Sequence, residues 1–214
     1  MLNPQKILAI SPHTDDIELA AGGALHKMAE QGAEIFYVAL SDCQEELKQN
    51  NCSIDTLQNE CLRALKHIGI PKKNCFIHHL TAKFFYKDSR KIFEILETLR
   101  ERVHPDLIVI PSTQDTHEDH YVVARQAQIA FRRETSIIAY EQPWNNFSYS
   151  PDLFIALSKN DLEIKIKALR EYASQYIFKK TYFDTDFIKS LAVVRGKQIN
   201  THFAEAFQVI KLIA

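Results

Sequence analysis

Two short stretches combine histidine and carboxylate side chains, the groups that bind metal ions and move protons in hydrolases. The first is Pro12-His13-Thr14-Asp15-Asp16 and the second is His117-Glu118-Asp119-His120. A catalytic zinc ion usually takes three nitrogen or oxygen ligands from the protein and leaves one position for water. A further carboxylate can accept the proton of the attacking water. Together the two stretches therefore indicate a metal-dependent hydrolase.

The spacing in the first stretch suits a metal site. His13 and Asp16 are three positions apart, across a turn from a strand into a helix, so their side chains can converge on one ion. A mixed set of imidazole and carboxylate favours zinc over magnesium or calcium, which prefer oxygen ligands. Asp15 lies between the two and points elsewhere, so we expect it to act as a base. The alternative for Asp15-Asp16 is an ordinary helix cap.

The second stretch offers two histidines for one remaining ligand position. Either His117 or His120 could complete the metal site while the other donates a hydrogen bond to the substrate, and their spacing leaves this choice open. We expect Asp119 to fix the tautomer of a histidine, and Asp115 to act in the same way from behind the site. A His-x-x-His sequence also occurs by chance, so the argument depends on the two stretches meeting.

The elements around these stretches predict how they meet. An apolar run over 6–11, a helical pattern over 17–31 that Gly32 ends, and a β-rich run over 33–40 form a strand–helix–strand unit. Such a unit implies parallel strands and a right-handed crossover. The alternation continues as helices over 56–68, 89–103 and 122–131, with strands over 75–79, 107–110 and 136–140 between and after them.

This alternation predicts a fold of the α/β class. We expect one domain over 1–214, with a doubly wound, mostly parallel, Rossmann-like sheet and helices on both faces. After Pro143 the pattern changes to a strand over 153–156, a helix over 160–172, a helix over 186–194 that Gly196 caps, and a strand over 206–213. We interpret this part as a C-terminal extension that forms a wall of the site.

Ligands in open α/β sheets bind at the carboxyl ends of the strands, and both histidine stretches follow predicted strands. Two aperiodic segments, 41–55 and 81–88, also follow strands, and each is either a substrate-binding loop or an ordinary surface loop. Trp144 is either an aromatic platform for a sugar ring or a core residue.

Composition narrows the class of partner. The chain has 26 Lys and Arg against 27 Asp and Glu, so its charge provides no argument for nucleic-acid binding. No signal peptide and no membrane-spanning apolar run is recognisable, and the four cysteines form no Cys-x-x-Cys pair. We therefore expect a cytoplasmic protein with reduced thiols and no membrane insertion. The low net charge also permits a homo-oligomer.

The chain resembles the PIG-L/LmbE-like family of zinc-dependent N-deacetylases. That family has Pro-His-x-Asp-Asp after a strand and then Gly-Gly, here Pro12-His13-Thr14-Asp15-Asp16 with Gly22-Gly23, and a later His-x-Asp-His, here 117–120. Leu57 stands where an arginine is often found in the family. Supporting likenesses near the C-terminus are Tyr172-Ala173-Ser174-Gln175, Arg195-Gly196 and Ala204-Glu205-Ala206-Phe207.

The resemblance implies an activity and a role for each site residue. It implies that His13, Asp16 and His120 bind Zn²⁺, that Asp15 is the general base, and that His117 stabilises the tetrahedral intermediate. We expect His117 to be protonated in that role. The implied substrate is a small molecule or glycoconjugate that contains N-acetylglucosamine, and the reaction removes its N-acetyl group.

Two other functions remain open from the sequence. A zinc amidase that acts on another acyl amide would carry the same metal residues. A non-catalytic α/β binding protein is the second alternative, although the first strand–helix turn has neither Gly-x-Gly-x-x-Gly nor Gly-Lys-Ser/Thr to bind a phosphate.

Overall fold

Seven strands form one sheet in the computed structural model, which describes residues 3–213. In chain order they are β1 (Lys6–His13), β2 (Glu34–Ser41), β3 (Cys75–Ile77), β4 (Leu107–Pro111), β5 (Ser136–Tyr140), β6 (Leu153–Leu157) and β7 (Phe203–Lys211). Across the sheet their order is β3-β2-β1-β4-β5-β7-β6. The first five strands in that order are mutually parallel, whereas β7 runs antiparallel to both β5 and β6.

This order confirms the predicted doubly wound α/β sheet. From β1 the chain moves outward through β2 to β3, and then returns to β4 on the other side of β1. The direction of winding therefore reverses between β1 and β4. In open α/β sheets a crevice opens at that point, beyond the carboxyl ends of the two strands.

Helices cover both faces of the sheet, as predicted. The helices of the described residues are α1 (Asp16–Glu30), α2 (Gln44–Gln49), α3 (Thr56–Ile68), α4 (Ser89–Val103), α5 (Glu118–Ala130), α6 (Lys159–Leu169), α7 (Ala173–Ile177) and α8 (Thr185–Gln198). None of the helices within 3–213 is long and apolar enough to cross a bilayer.

Strand β1 shows how the two faces are built. Its side chains alternate, so that Ile7 and Ala9 join one hydrophobic cluster with α1, α3 and α6, while Leu8 and Ile10 join another with α4 and α5. All four are fully buried. A strand that is covered on both faces therefore needs an apolar residue at every position.

Most predicted elements are present, and the differences lie at their ends. Helix α5 begins at Glu118 rather than at residue 122, because the side chain of His117 caps it by accepting a hydrogen bond from Asp119 N. The predicted helix over 160–172 ends at Leu169. The short helices α2 and α7 were not predicted, since five or six residues are too few to display a helical period.

Gly196 does not end α8, contrary to the sequence-based interpretation. The helix continues to Gln198, and Gly196 lies within it, where the start of β7 crosses the helix. A Cβ atom on Gly196 would lie 2.7 Å from the backbone of both His202 and Phe203. A close approach of two backbones, rather than a cap, therefore requires glycine here.

Replacing Gly196 with alanine should destabilise the protein. The backbone of β7 cannot move aside as a flexible side chain can, and overpacking typically costs about 1–3 kcal/mol. We expect Gly196→Ala to lower the melting temperature by roughly 2–12 °C in a chain of this size. Gly22→Ala is the matched control, because the nearest obstacle there is the Lys165 side chain at 3.3 Å. Equal melting temperatures for the two variants would contradict the interpretation.

Candidate active site

The two histidine stretches meet at the crevice between β1 and β4. These strands are neighbours in the sheet, with Ala9 paired to Val109. His13 is the last residue of β1, and Asp16 is the first residue of α1. The segment that follows β4 leads to His117, which caps α5, and His120 lies in the first turn of that helix. The expectation that both stretches share one sheet edge is confirmed.

His13, Asp16 and His120 converge at atomic distances that suit a metal ion. Oδ2 of Asp16 lies 3.3 Å from Nδ1 of His13 and 3.4 Å from Nε2 of His120. In a tetrahedral site with bonds of about 2.1 Å, neighbouring ligand atoms lie about 3.4 Å apart. The measured separations therefore match two edges of such a site.

Carboxylates behind the histidines determine which ring nitrogens face the centre. Nε2 of His13 lies 2.9 Å from a carboxylate oxygen of Asp119, and Nδ1 of His120 lies 2.8 Å from one of Asp115. Both aspartates are buried. Asp119 also accepts hydrogen bonds from Lys83 N and Phe85 N, and Asp115 also accepts one from His117 N. The nitrogens that remain free are Nδ1 of His13 and Nε2 of His120, which are the two that face Asp16.

His117 belongs to the same group, because one ring nitrogen from each of His13, His117 and His120 lies within 4.8 Å of the others. Geometry alone thus also permits a site of three histidines. The contacts of Asp16 make the aspartate a fitting third ligand, since its separations from both histidines are close to the edge of a tetrahedral site. Nδ1 of His117 accepts a hydrogen bond from Asp119 N, which leaves Nε2 for the cavity.

The electrostatics of the centre favour a bound cation. Although burial opposes ionisation, the carboxylates of Asp16 and Asp115 raise the pKa of His120 to about 10. Burial likewise opposes protonation of His13, yet Asp119 and Asp16 raise its pKa. The same imidazoles hold the pKa of Asp16 well below its usual value despite burial. The cluster therefore requires positive charge, and a divalent cation among these donors would provide it.

His117 differs from the other two histidines. Burial and the neighbouring His120 and His13 lower its pKa to about 4. The expectation of a protonated His117 is therefore wrong for this geometry. A neutral ring whose Nδ1 accepts a hydrogen bond carries its proton on Nε2, so it remains a donor towards the cavity.

Asp15 adopts a backbone conformation that favours glycine. It occupies the cap position of α1 with φ 112° and ψ −29°, but its side chain accepts no hydrogen bond from the helix. The ordinary helix cap is thus excluded for Asp15. The residue lines the cavity while being largely buried. Burial, with the charges of Asp16 and Glu18, raises the pKa of its carboxyl well above the usual value.

A cavity of about 470 Å³ opens over these residues. This volume lies in the usual range for sites that bind small molecules, roughly 300–1,000 Å³. Both aperiodic segments contribute to its wall, 41–55 through α2 and 81–88 through Thr81–Phe84. Leu57 also lines it. The predicted role of the C-terminal extension as a wall is confirmed by Gln175, Lys180 and Tyr182.

Two contacts build the outer part of the cavity. The ring of Trp144 stacks on Tyr182 with a centroid distance of 4.8 Å and an angle of 12° between the planes. Trp144 also contacts the hydrophobic cluster, so it is both a cavity residue and a part of the core. On another side, Nζ of Lys180 forms a 2.6 Å ion pair with Glu46 of α2.

Sequence reasoning missed Gln142, Lys180 and Tyr182. Gln142 is the second residue after β5, so the strand-end rule that identified His13 could also have found it. Lys180 precedes a single turn of 3-10 helix, Thr181–Phe183, and Tyr182 lies within that turn. The sequence of this turn carries no periodic signal. Only the packing of the C-terminal extension brings them to the cavity.

Comparisons with known proteins match the segment that contains both histidine stretches to one family. The sequence profile of the PIG-L family, described as GlcNAc-PI de-N-acetylase, matches residues 8–131, which is more than half of the chain. An Escherichia coli protein named uncharacterized deacetylase YaiS is 26% identical over 182 residues, which span 78% of this chain and 90% of that protein.

Solved structures share the fold. The N,N'-diacetylchitobiose deacetylase of Pyrococcus horikoshii superposes with a TM-score of 0.80 at 19% identity, covering 97% of this chain and 84% of that one. GalB of Pseudomonas putida, a 4-carboxy-2-hydroxymuconate hydratase, superposes with a TM-score of 0.75 at 21% identity and 98% coverage of both chains. One architecture thus carries two different reactions among these neighbours.

The strained backbone at Asp15 leads to a stability prediction. A residue with a side chain in such a conformation costs about 1–3 kcal/mol, and part of this cost disappears with glycine. We expect Asp15→Gly to be more stable than Asp15→Ala by about 1 kcal/mol in denaturant unfolding with a chelator present. Both variants lack the carboxylate, so their difference isolates the strain. An alanine variant as stable as the glycine variant would show that the backbone is not strained.

Proposed function

Because the chain belongs to the PIG-L family, we propose that it is a zinc-dependent N-deacetylase of a small molecule or glycoconjugate that contains N-acetylglucosamine. The observation that carries this proposal is the convergence of two imidazoles and a carboxylate at the separations of a tetrahedral site. Beside that site a second carboxylate, Asp15, faces a cavity of small-molecule size.

In this proposal His13, Asp16 and His120 hold the metal. Zinc in such a donor set lowers the pKa of water to about 7 and polarises a carbonyl oxygen. Asp119 and Asp115 keep His13 and His120 in the required tautomer, because each accepts a hydrogen bond from the ring nitrogen that faces away from the centre.

Asp15 acts as the general base and then as the general acid. It takes a proton from the attacking water as the oxygen bonds to the acetamide carbon. It then gives that proton to the amide nitrogen as the carbon–nitrogen bond breaks, and acetate and a free amine result. The position of Asp15 supports this role, because its carboxyl lines the cavity beside Asp16 and does not cap α1.

His117 stabilises the negative charge that develops on the carbonyl oxygen. Nε2 is the nitrogen left to donate a hydrogen bond into the cavity, since Nδ1 is engaged by Asp119 N. A neutral donor suffices for this role, so no proton has to enter the buried site.

The sugar occupies the outer cavity. Trp144 supplies an aromatic surface for the apolar face of a pyranose ring. Lys180, Glu46 and Gln175 provide polar groups for its hydroxyls. The diacetylchitobiose deacetylase with the same fold acts on an acetylated amino sugar, which supports a substrate of this class.

Separate substitutions should distinguish the base from a metal ligand. Asp15→Asn keeps the size of the side chain, so we expect it to bind zinc at one ion per chain while its rate of acetate release falls at least about a hundredfold. His120→Ala should instead lose the metal. Metal content by mass spectrometry and acetate release are the two measurements. An Asp15→Asn protein of normal activity, or a His120→Ala protein that retains stoichiometric zinc, would refute the corresponding role.

His117 should affect the rate without affecting the metal. We expect His117→Ala to lower kcat by roughly a hundredfold to a thousandfold, which is the usual effect of removing one such donor. Its zinc content should stay at that of the unchanged protein. Loss of zinc in this variant would instead assign His117 to the metal and favour the site of three histidines.

The substrate class is tested with zinc-loaded protein and a panel of acetylated sugars. The panel includes diacetylchitobiose, N-acetylglucosamine glycosides and nucleotide sugars, together with simple acyl amides, and acetate release is measured for each. Release from an N-acetylglucosamine compound supports the proposal. Cleavage of the simple amides alone identifies a general amidase. An unsaturated acid is added to the panel, and its hydration without any amide cleavage identifies chemistry like that of GalB. Asp15→Asn is the control in each assay.

A further inference from the structure

The side chain of Gln142 is fixed against the carboxylate of Asp16. Nε2 of Gln142 donates a 2.8 Å hydrogen bond to Oδ1 of Asp16, while Oδ2 of the same carboxylate faces His13 and His120. We propose that Gln142 is a positioning residue that orients Asp16 and thereby sets the affinity of the site for its metal. The inference rests on the metal site proposed above and adds a residue that lies outside both histidine stretches.

The need for such a residue follows from the torsion of an aspartate. The last torsion of this side chain has a broad energy profile, so an unrestrained carboxylate would turn about its Cβ–Cγ bond. The backbone N–H of His13 donates to Oδ2 at 2.8 Å and restrains one oxygen. The hydrogen bond from Gln142 restrains the other. Two donors on opposite oxygens fix the plane of the carboxylate before any ion binds.

Gln142 is itself held rigidly. It is fully buried, and its backbone N–H donates a 2.8 Å hydrogen bond to Oδ1 of Asn146. Its carbonyl oxygen accepts hydrogen bonds from the backbone N–H groups of Asn145 and Asn146, both at 2.9 Å. These contacts close a tight turn over 142–146. The preceding residue, Glu141, forms an ion pair with Arg195 of α8, in which Nε and Nη2 of the guanidinium donate to the two carboxylate oxygens.

The same turn also contacts the second histidine stretch. Thr116 donates to the carbonyl oxygen of Asn145 through its backbone N–H at 3.2 Å and through its hydroxyl at 2.9 Å. Thr116 lies between Asp115, which supports His120, and His117. One turn therefore braces the aspartate on one side of the centre and the histidine segment on the other.

A direct role of Gln142 in binding substrate is disfavoured. The residue lines the cavity, but both ends of its amide have partners within the protein. Nε2 is engaged by Asp16, and Oε1 lies 3.4 Å from Nδ2 of Asn145. Substrate could not use the donor without releasing Asp16. Gln142 therefore acts through Asp16 rather than on the reacting atoms.

The inference is tested by measuring zinc affinity. Gln142→Met keeps the length of the side chain but removes the donor, and zinc binding to the purified protein is measured by competition with a chromophoric chelator. We expect affinity to fall by about tenfold to a hundredfold, the usual result of losing a hydrogen bond to a metal ligand. At saturating zinc most of kcat should return. Gln208→Met is the control, since this glutamine accepts a 3.1 Å hydrogen bond from Ser112, the residue after β4.

The outcomes separate this inference from the proposed function. If the unchanged protein binds no zinc, the proposed function fails. If it binds zinc and Gln142→Met binds equally well, only the role of Gln142 fails. Gln142→Leu is the second variant in case the first does not fold, because it removes the donor without adding a charge. Unchanged or tighter binding in a folded variant overturns the inference, whereas weaker binding with unaltered Gln208→Met supports it.

Discussion

The parallel pairing of β1 with β4 is the constraint on which the site depends. The residues at the ends of these strands are about a hundred positions apart in the chain, and only this pairing brings them together. Because the winding of the chain reverses there, a crevice opens beyond the strand ends. Polar side chains can face one another across this crevice. The hydrophobic clusters on the two faces keep the sheet in place. The candidate metal site thus depends on sheet topology, and the local sequence supplies only its donors.

Charge balance is the second determinant. Asp15, Asp16, Asp115 and Asp119 are all buried around three imidazoles. Buried carboxylates need positive charge or hydrogen-bond donors nearby. Three of the four aspartates accept such hydrogen bonds: Asp16 from Gln142, Asp115 from His117 N, and Asp119 from Lys83 N. Asp15 has no such contact from its helix. Of these four carboxylates, Asp15 has the fewest hydrogen-bond donors, and it is the one proposed to move protons.

The sequence predicted the inner part of the site better than its walls. Strand ends and the spacing of His13, Asp16, His117 and His120 are local signals, and the buried runs of β1 and β4 identify a parallel sheet. Gln142, Lys180 and Tyr182 reach the cavity only through turns and short helices, whose geometry depends on tertiary packing rather than on periodicity. For the same reason Gly196 was misread as a helix cap, since the approach of β7 to α8 leaves no trace in the sequence near the glycine. The neutral state of His117 likewise follows from its neighbours in space.

The residues proposed for the reaction lie within the first two thirds of the chain, whereas one part of the cavity wall comes from the last third. His13, Asp15, Asp16, His117 and His120 all fall within the segment that the family profile matches, whereas Trp144, Gln175, Lys180 and Tyr182 lie beyond it. Exchanges in the C-terminal third can therefore alter which acetylated molecule is admitted while the bond-breaking apparatus stays intact.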